Sequence, residues 1–125
     1  MSKTRKPDFV FISYAAHDKS RVRKVIGELK VRGVLGERDK VVDTADLLLL
    51  PGLSIRGQVQ KAIEDASKVI IIWSGAGAKS EWVNYETGMA EALGKPIFAV
   101  IPKGERSSLP IQLADTQVIE LEDVR

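Results

Sequence analysis

The stretch SEWVNYE, residues 80–86, sets a carboxylate four residues after a tryptophan. Positions four apart in a helix stand one above the other. Trp82, Glu86, Met89 or Ala90, and Leu93 then share one stripe, while Glu81 and Glu91 fall elsewhere and read as solvated. An acid in line with an apolar stripe is exposed at the sheet's rim, paired, or kept for a task. On this pattern alone, a structural rim glutamate hydrogen-bonded to a nearby loop is at least as good a reading as a catalytic one.

The other candidates for chemistry are few. SGAGAKS, residues 74–80, follows a strand-like run and opens a helix, as a phosphate loop does. However, Ala78 stands where a Walker loop needs glycine before its lysine, and Ser80 where the dinucleotide fingerprint needs its third glycine. A plain connector is the better reading, and a loop that lets a ligand approach the helix N-terminus is the other. His17 is the only histidine, which rules out a two-histidine metal site, and no serine lies in a G-x-S-x-G context. With no cysteine, disulfides, cysteine-bound zinc and thiol catalysis are excluded. Tyr14, Ala15, Ala16, Trp73 and Ser74 occupy the places where a phospho-receiver would carry aspartates. Leu47, Leu48, Leu49 and Leu50 run together in a loop-like segment. They read equally as a short element that joins the core and as a contact surface for another copy or a partner.

The elements that must position these residues follow from the rest of the chain. Its 125 residues, 44% hydrophobic and 29% charged, suit one globular domain, and no apolar run approaches a membrane span. The basic start, residues 1–7, lacks the apolar segment and cleavage site of a signal peptide, so a cytoplasmic protein is expected. A net charge of +2, with Lys and Arg spread along the chain, gives no stripe for nucleic acid. Residues 8–14 (DFVFISY) and 68–74 (KVIIIWS) read as strands buried on both faces. Residues 40–42, a run opened by Pro96, and residues 117–121 supply further strands. Helices are expected over 18–32 with Asp18 as N-cap and Gly33 as stop, over 54–66 with Ile55, Val59, Ala62, Ile63 and Ala66 on one side, and over 80–93 with Ser80 as cap. A short turn or helix is expected near 109–114. Strand and helix alternate throughout, the pattern of a doubly wound parallel α/β sheet of about five strands. Ligands bind such sheets at the carboxyl ends of the strands. That directs attention to residues 14–18, 43–54, 74–86 and 102–109.

FVFISYAAHD, LLPGLSIRGQVQKAIEDASKVIIIWS and SEWVNYETGMAEALGKPIFAVI occur in the order and spacing of a Toll/interleukin-1 receptor (TIR) domain. Over roughly residues 8–121 the sequence most resembles the small prokaryotic type. The resemblance implies a flavodoxin-like sheet of five parallel strands flanked by helices on both faces, in a single TIR domain at 8–125 behind a short basic tail at 1–7. It further implies hydrolysis or cyclisation of NAD+ at the nicotinamide–ribose bond, with NAD+ as substrate and no cofactor or metal. Glu86, in the W-x-x-x-E pattern, would be the catalytic residue. Tyr14, Ala15, Ala16, Ser74 and Trp82 would bind substrate. Leu47, Leu48, Leu49, Leu50, Pro51 and Gly52, in the BB loop, would mediate self-association or contact with other TIR domains. The implied setting is bacterial immune, antiphage or effector signalling, with activity dependent on assembly.

One carboxylate is chemically sufficient for such a reaction. Glycosidases pair two acids because the leaving oxygen must be protonated. Nicotinamide instead leaves a cationic pyridinium as a neutral base, so the remaining task is to stabilise an oxocarbenium-like transition state electrostatically. The chain departs from some TIR members, which have arginine at the Ala15 and Ala16 positions, an aromatic at Val42, or polar residues at Leu48 and Leu50. Two alternatives stand beside this reading: a noncatalytic TIR interaction module with a structural Glu86, and a nucleoside deoxyribosyltransferase-like enzyme that uses free nucleosides. A chain ending at Arg125 leaves little room for a final helix, so a fragment of a longer protein is also expected.

Overall fold

Three aliphatic runs set the architecture: β1 (Phe9–Ser13), β3 (Lys68–Ile72) and β4 (Ile97–Pro102). In the computed structural model, which describes residues 8–43, 52, 54–105, 109, 113 and 116–122, they form the middle of a five-stranded sheet. The edges are β2 (Lys40–Val42) and β5 (Gln117–Leu121), in the order β2-β1-β3-β4-β5. Every pairing is parallel. Val69, Ile70, Ile71 and Ile72 are wholly excluded from water because both faces of β3 are covered. Alternation along the strands sends Phe11, Val69, Ile71 and Ile101 to one core cluster and Val10, Ile12, Ile70, Ile72 and Val100 to the other.

Helix α1 (Val22–Val31) covers the second cluster with Val25 and Leu29. Helices α2 (Ile55–Asp65) and α4 (Glu81–Ala92) cover the first with Val59, Ile63, Val83 and Ala90. Local capping fixes their ends, at Ser80 and Gly33 as expected from the sequence and at Ser54 and Gly94 as well. Ser54 accepts from the Gly57 amide at 3.1 Å and Ser80 from the Val83 amide at 3.1 Å. Gly33 and Gly94 take φ of 78° and 68°. These let the Val34 and Lys95 amides return to the Leu29 and Ala90 carbonyls at 2.9 and 3.0 Å. Among the described residues no helix is long and apolar enough to cross a membrane.

Four local expectations are corrected. Asp18 caps no helix: the chain enters α1 through a 3-10 turn, Ala16–Arg21, and Asp18 is buried within it, turned toward Ser74. GAGAK is not a plain connector but a short helix, α3 (Gly75–Lys79), whose N-cap Ser74 accepts from the Gly77 amide at 2.9 Å. The flanking strands are shorter than their apolar runs, because Tyr14, Trp73 and Ser74 already belong to the turns that leave the sheet. Ile55 opens α2 at 48% exposure, outside the stripe completed by Val59 and Ile63. Pro96 lies just before β4, where its carbonyl accepts from Val69 at 2.9 Å. The element expected near 109–114 lies outside the described residues apart from Leu109 and the buried Leu113.

Gly77 shows how tightly α3 is set against the sheet. A Cβ there would lie 2.3 Å from the Ile72 carbonyl oxygen, whereas one at Gly75 would meet nothing within 4 Å. Gly77→Ala is therefore expected to destabilise the fold by about 1–3 kcal/mol. Gly75→Ala, on an exposed helical residue, should be neutral or stabilising by up to about 1 kcal/mol. Urea unfolding of the two variants measures the difference, and equal midpoints would show that α3 can lift away from β3.

Candidate active site

In this strand order β2 lies on one side of β1 and β3 on the other, so the chain's connections diverge between β1 and β3 and leave a crevice beyond their carboxyl ends. The buried polar side chains gather at this end. Ser13, the last residue of β1, shares the Phe11 face and looks toward α4. Its hydroxyl donates to Glu86 Oε1 at 2.7 Å. Val83, Glu86, Thr87 and Ala90 form the buried face of α4, and Glu86 is only 1% exposed. Thr87 is satisfied within the helix, donating to the Val83 carbonyl at 2.7 Å. Glu86 is thus bound to the sheet.

A second buried pair spans the same crevice. Ser74, just past β3, donates to Asp18 Oδ2 at 2.5 Å, and Arg21 Nη1 stands 3.4 Å from the other carboxylate oxygen. This ties the turn after β1 to the turn after β3. The Tyr14 hydroxyl donates to Asp43, just past β2, and so links the ends of the two neighbouring strands. On α4, Trp82 stacks on Tyr85 with ring centroids 5.4 Å apart. The Arg56 guanidinium lies 5.6 Å from the centre of the Tyr85 ring. Offset stacking and cation–π attraction both favour this arrangement. They hold the Trp82 ring as a wall.

These groups surround a cleft of about 470 Å³ lined by Ile12, Tyr14, Ala16, Lys19, Asp43, Ser80, Trp82 and Glu86. That size is typical of small-molecule sites. Of the residues singled out from sequence, Glu86, Tyr14, Ala16 and Trp82 come together here. Ala15 and Ser74 do not line the cleft: Ala15 packs into the core beside Phe11, and the Ser74 hydroxyl is engaged by Asp18 and the Gly77 amide. Gly52 has a φ of 84°, while Leu47, Leu48, Leu49, Leu50 and Pro51 lie outside the described residues. Sequence reasoning missed Ser13, Lys19, Asp43 and Ser80 as site residues. Ser13 had a legible signal, a polar residue on the α4-facing side of an otherwise apolar strand. Asp43 and Ser80 fell within the strand-end segments singled out from sequence without being named as site residues, and only the sheet order brings Asp43 beside Tyr14.

Chemically, a buried carboxylate beside an aromatic wall in an open cleft is able to stabilise positive charge on a bound molecule. The fold is the flavodoxin-like class of parallel α/β sheet, with its crevice at the switch between β1 and β3. The chain belongs to the TIR domain family, whose model matches residues 10–124. No curated protein matches it in sequence. Among solved structures it resembles the TIR domain of the Toll-related receptor TRR-2 from Hydra magnipapillata, at 18% identity and a TM-score of 0.65, over 89% of this chain and 82% of that one. It also resembles the TIR domains of the activated Roq1 resistosome recognising the pathogen effector XopQ, at 21% identity and 0.59, over 81% of this chain and 61% of that one. A third likeness, at 19% identity and 0.56 over 90% and 87% of the two chains, is to the CMP N-glycosidase BcmB of Clostridium botulinum.

The Ser13–Glu86 contact can be weighed directly. Ser13→Ala leaves a buried carboxylate short of a donor and should destabilise the fold by about 1–3 kcal/mol. In a double-mutant cycle with Glu86→Gln, the coupling should reach at least about 0.5 kcal/mol. Additive unfolding free energies would mean that the contact contributes nothing.

Proposed function

We propose that this TIR domain breaks the bond between nicotinamide and ribose in NAD+, with Glu86 stabilising the ribosyl cation. The observation that carries the reading is the burial of Glu86 at the wall of a ligand-sized cleft, with the Trp82 ring beside it. The C1′–N bond breaks and its electron pair stays on the pyridine nitrogen, so nicotinamide leaves neutral. Water then adds at C1′ and loses a proton to give ADP-ribose, or a nitrogen of the substrate's own adenine adds to give a cyclic product. Ser13 keeps the carboxylate in place, and Trp82 offers a flat face to the nicotinamide or ribose.

The likeness to the N-glycosidase supports a sugar–base bond as the target, and it favours a second reading in which the cleft takes nucleosides or mononucleotides. The likeness to TIR domains in an activated resistosome supports immune signalling through assembly. In that setting Leu47, Leu48, Leu49 and Leu50, with Pro51 and Gly52, form the contact surface between TIR domains. The domain then acts in defence or effector signalling in the cytoplasm.

Turnover of NAD+, CMP and deoxynucleosides by concentrated or artificially clustered protein distinguishes these readings. NAD+ loss is expected, and Glu86→Gln should lower it by about 10²–10³-fold, the scale of removing one preorganised electrostatic group. Consumption of CMP or deoxynucleosides alone would favour the second reading. Full activity in Glu86→Gln would end the carboxylate assignment. For assembly, a Leu48→Asp, Leu50→Asp variant should scatter light as a smaller species than the parent. Identical scattering would remove the leucines from the interface.

A further inference from the structure

Helices α1 and α4 lie on opposite faces of the sheet, and each has an outward side that packing within the domain does not explain. Glycine is a poor residue for the middle of a helix and is kept there where something must approach closely. Gly27 and Gly88 sit mid-helix on the exposed sides of α1 and α4, and a Cβ at either would meet nothing within 4 Å. Neither takes a positive φ. The bare backbone therefore serves no packing contact among the described residues. One turn beyond Gly27, Val31 is 84% exposed.

The charges on these outward sides are also misplaced for isolated helices. A helix favours acids in its first turn and bases in its last. α1 has no acid in its first turn, which carries Arg23 and Lys24 instead. α4 has no base in its last turn, which carries Glu91. Arg23 and Glu91 are exposed, and among the described residues neither forms an ion pair. Lys95, the cation one turn after Glu91, is committed to the Glu64 and Ala66 carbonyls at 2.6 and 2.9 Å. Each helix thus shows an exposed glycine and, about one turn away, a charge of the wrong sign for its own dipole. The two signs are opposite.

We propose that α1 of one copy of this domain packs antiparallel on α4 of a second copy, with Gly27 and Gly88 at the point of closest approach. In that register Arg23, four residues before Gly27, meets Glu91, three residues after Gly88. The N-terminal end of α1 then lies on the C-terminal end of α4, so that dipoles and charges are both favourable. Val31 comes down on the turn of α4 that carries Asn84 and Tyr85. Because α1 bears Arg23, Lys24 and Lys30 against Glu28 alone, two α1 helices would repel, which selects α4 as the partner. The contact is heterologous, since each copy presents α1 on one face and α4 on the other, and copies add one after another into a ring or an open stack. This surface is separate from the leucine loop and does not depend on the reaction proposed for Glu86.

Sedimentation velocity over a range of protein concentrations tests the contact. The parent should self-associate, and less strongly as salt is raised. Gly27→Leu fills the space between the helices while touching nothing in its own copy, so its urea midpoint should equal or exceed that of the parent. Its self-association should nevertheless fall at least about tenfold, as should that of Arg23→Glu and of Glu91→Arg, each of which sets like charges together. Mixed in equal amounts, the two charge variants regain opposite charges at alternate junctions of either kind and should associate as the parent does. A parent that stays monomeric, a Gly27→Leu variant that associates like the parent, or a mixture no better associated than its components would overturn the contact. Association abolished by Leu48→Asp, Leu50→Asp but untouched by Gly27→Leu would likewise overturn it and assign assembly to the leucine loop.

Discussion

A carboxylate taken out of water must be hydrogen-bonded, because an unpaired buried charge costs several kcal/mol. Glu86 meets that requirement across the structure, since the Ser13 hydroxyl at the end of β1 reaches it from the sheet. This one contact constrains much else. β1 must end in a small hydroxyl residue, and α4 must lie close enough for a 2.7 Å bond. The helix must also give one position of its buried face to an acid. Val83 and Ala90, one turn to either side, supply the apolar packing that keeps the helix there.

The rest of the crevice is held by bonds between turns. Ser74 is central: it caps α3 through the Gly77 amide and donates to Asp18 in the 3-10 turn before α1. The segments that leave β1 and β3 are thereby locked to each other at the switch point of the sheet. Gly77 lets α3 sit against the end of β3, where any side chain would strike the Ile72 carbonyl. The glycines of SGAGAKS thus serve close backbone packing, and its first serine serves the frame of the site. Rigid framing of this kind is what electrostatic stabilisation requires, because groups that reorganise during reaction lose their advantage.

The sheet was readable from sequence because its central strands are buried on both faces and so become continuous aliphatic runs, as in KVIIIWS and DFVFISY. Helix ends were readable where capping is local, at Ser80 and Gly33. Asp18 was misread because a buried acid before a helix has the same local pattern as a cap. Only its partner Ser74, 56 residues away, distinguishes the two. Glu86 stood out as an acid in line with an apolar stripe. The role of Ser13 depended on which face of β1 meets α4. Asp43 and Lys19 enter the site through strand order and the turn after β1, which no short spacing encodes.

The same sheet supports receptor TIR domains, a resistosome and an N-glycosidase, so the fold by itself carries no single activity. What separates such proteins is the distribution of charge and shape at the carboxyl end of the strands. Here the acid Glu86 is buried on the face of α4 that meets the sheet, and Lys19, in the turn before α1, lines the same cleft. In the proposed reaction the cationic end of the ligand lies at Glu86, so orientation and transition-state stabilisation follow from the placing of one buried side chain.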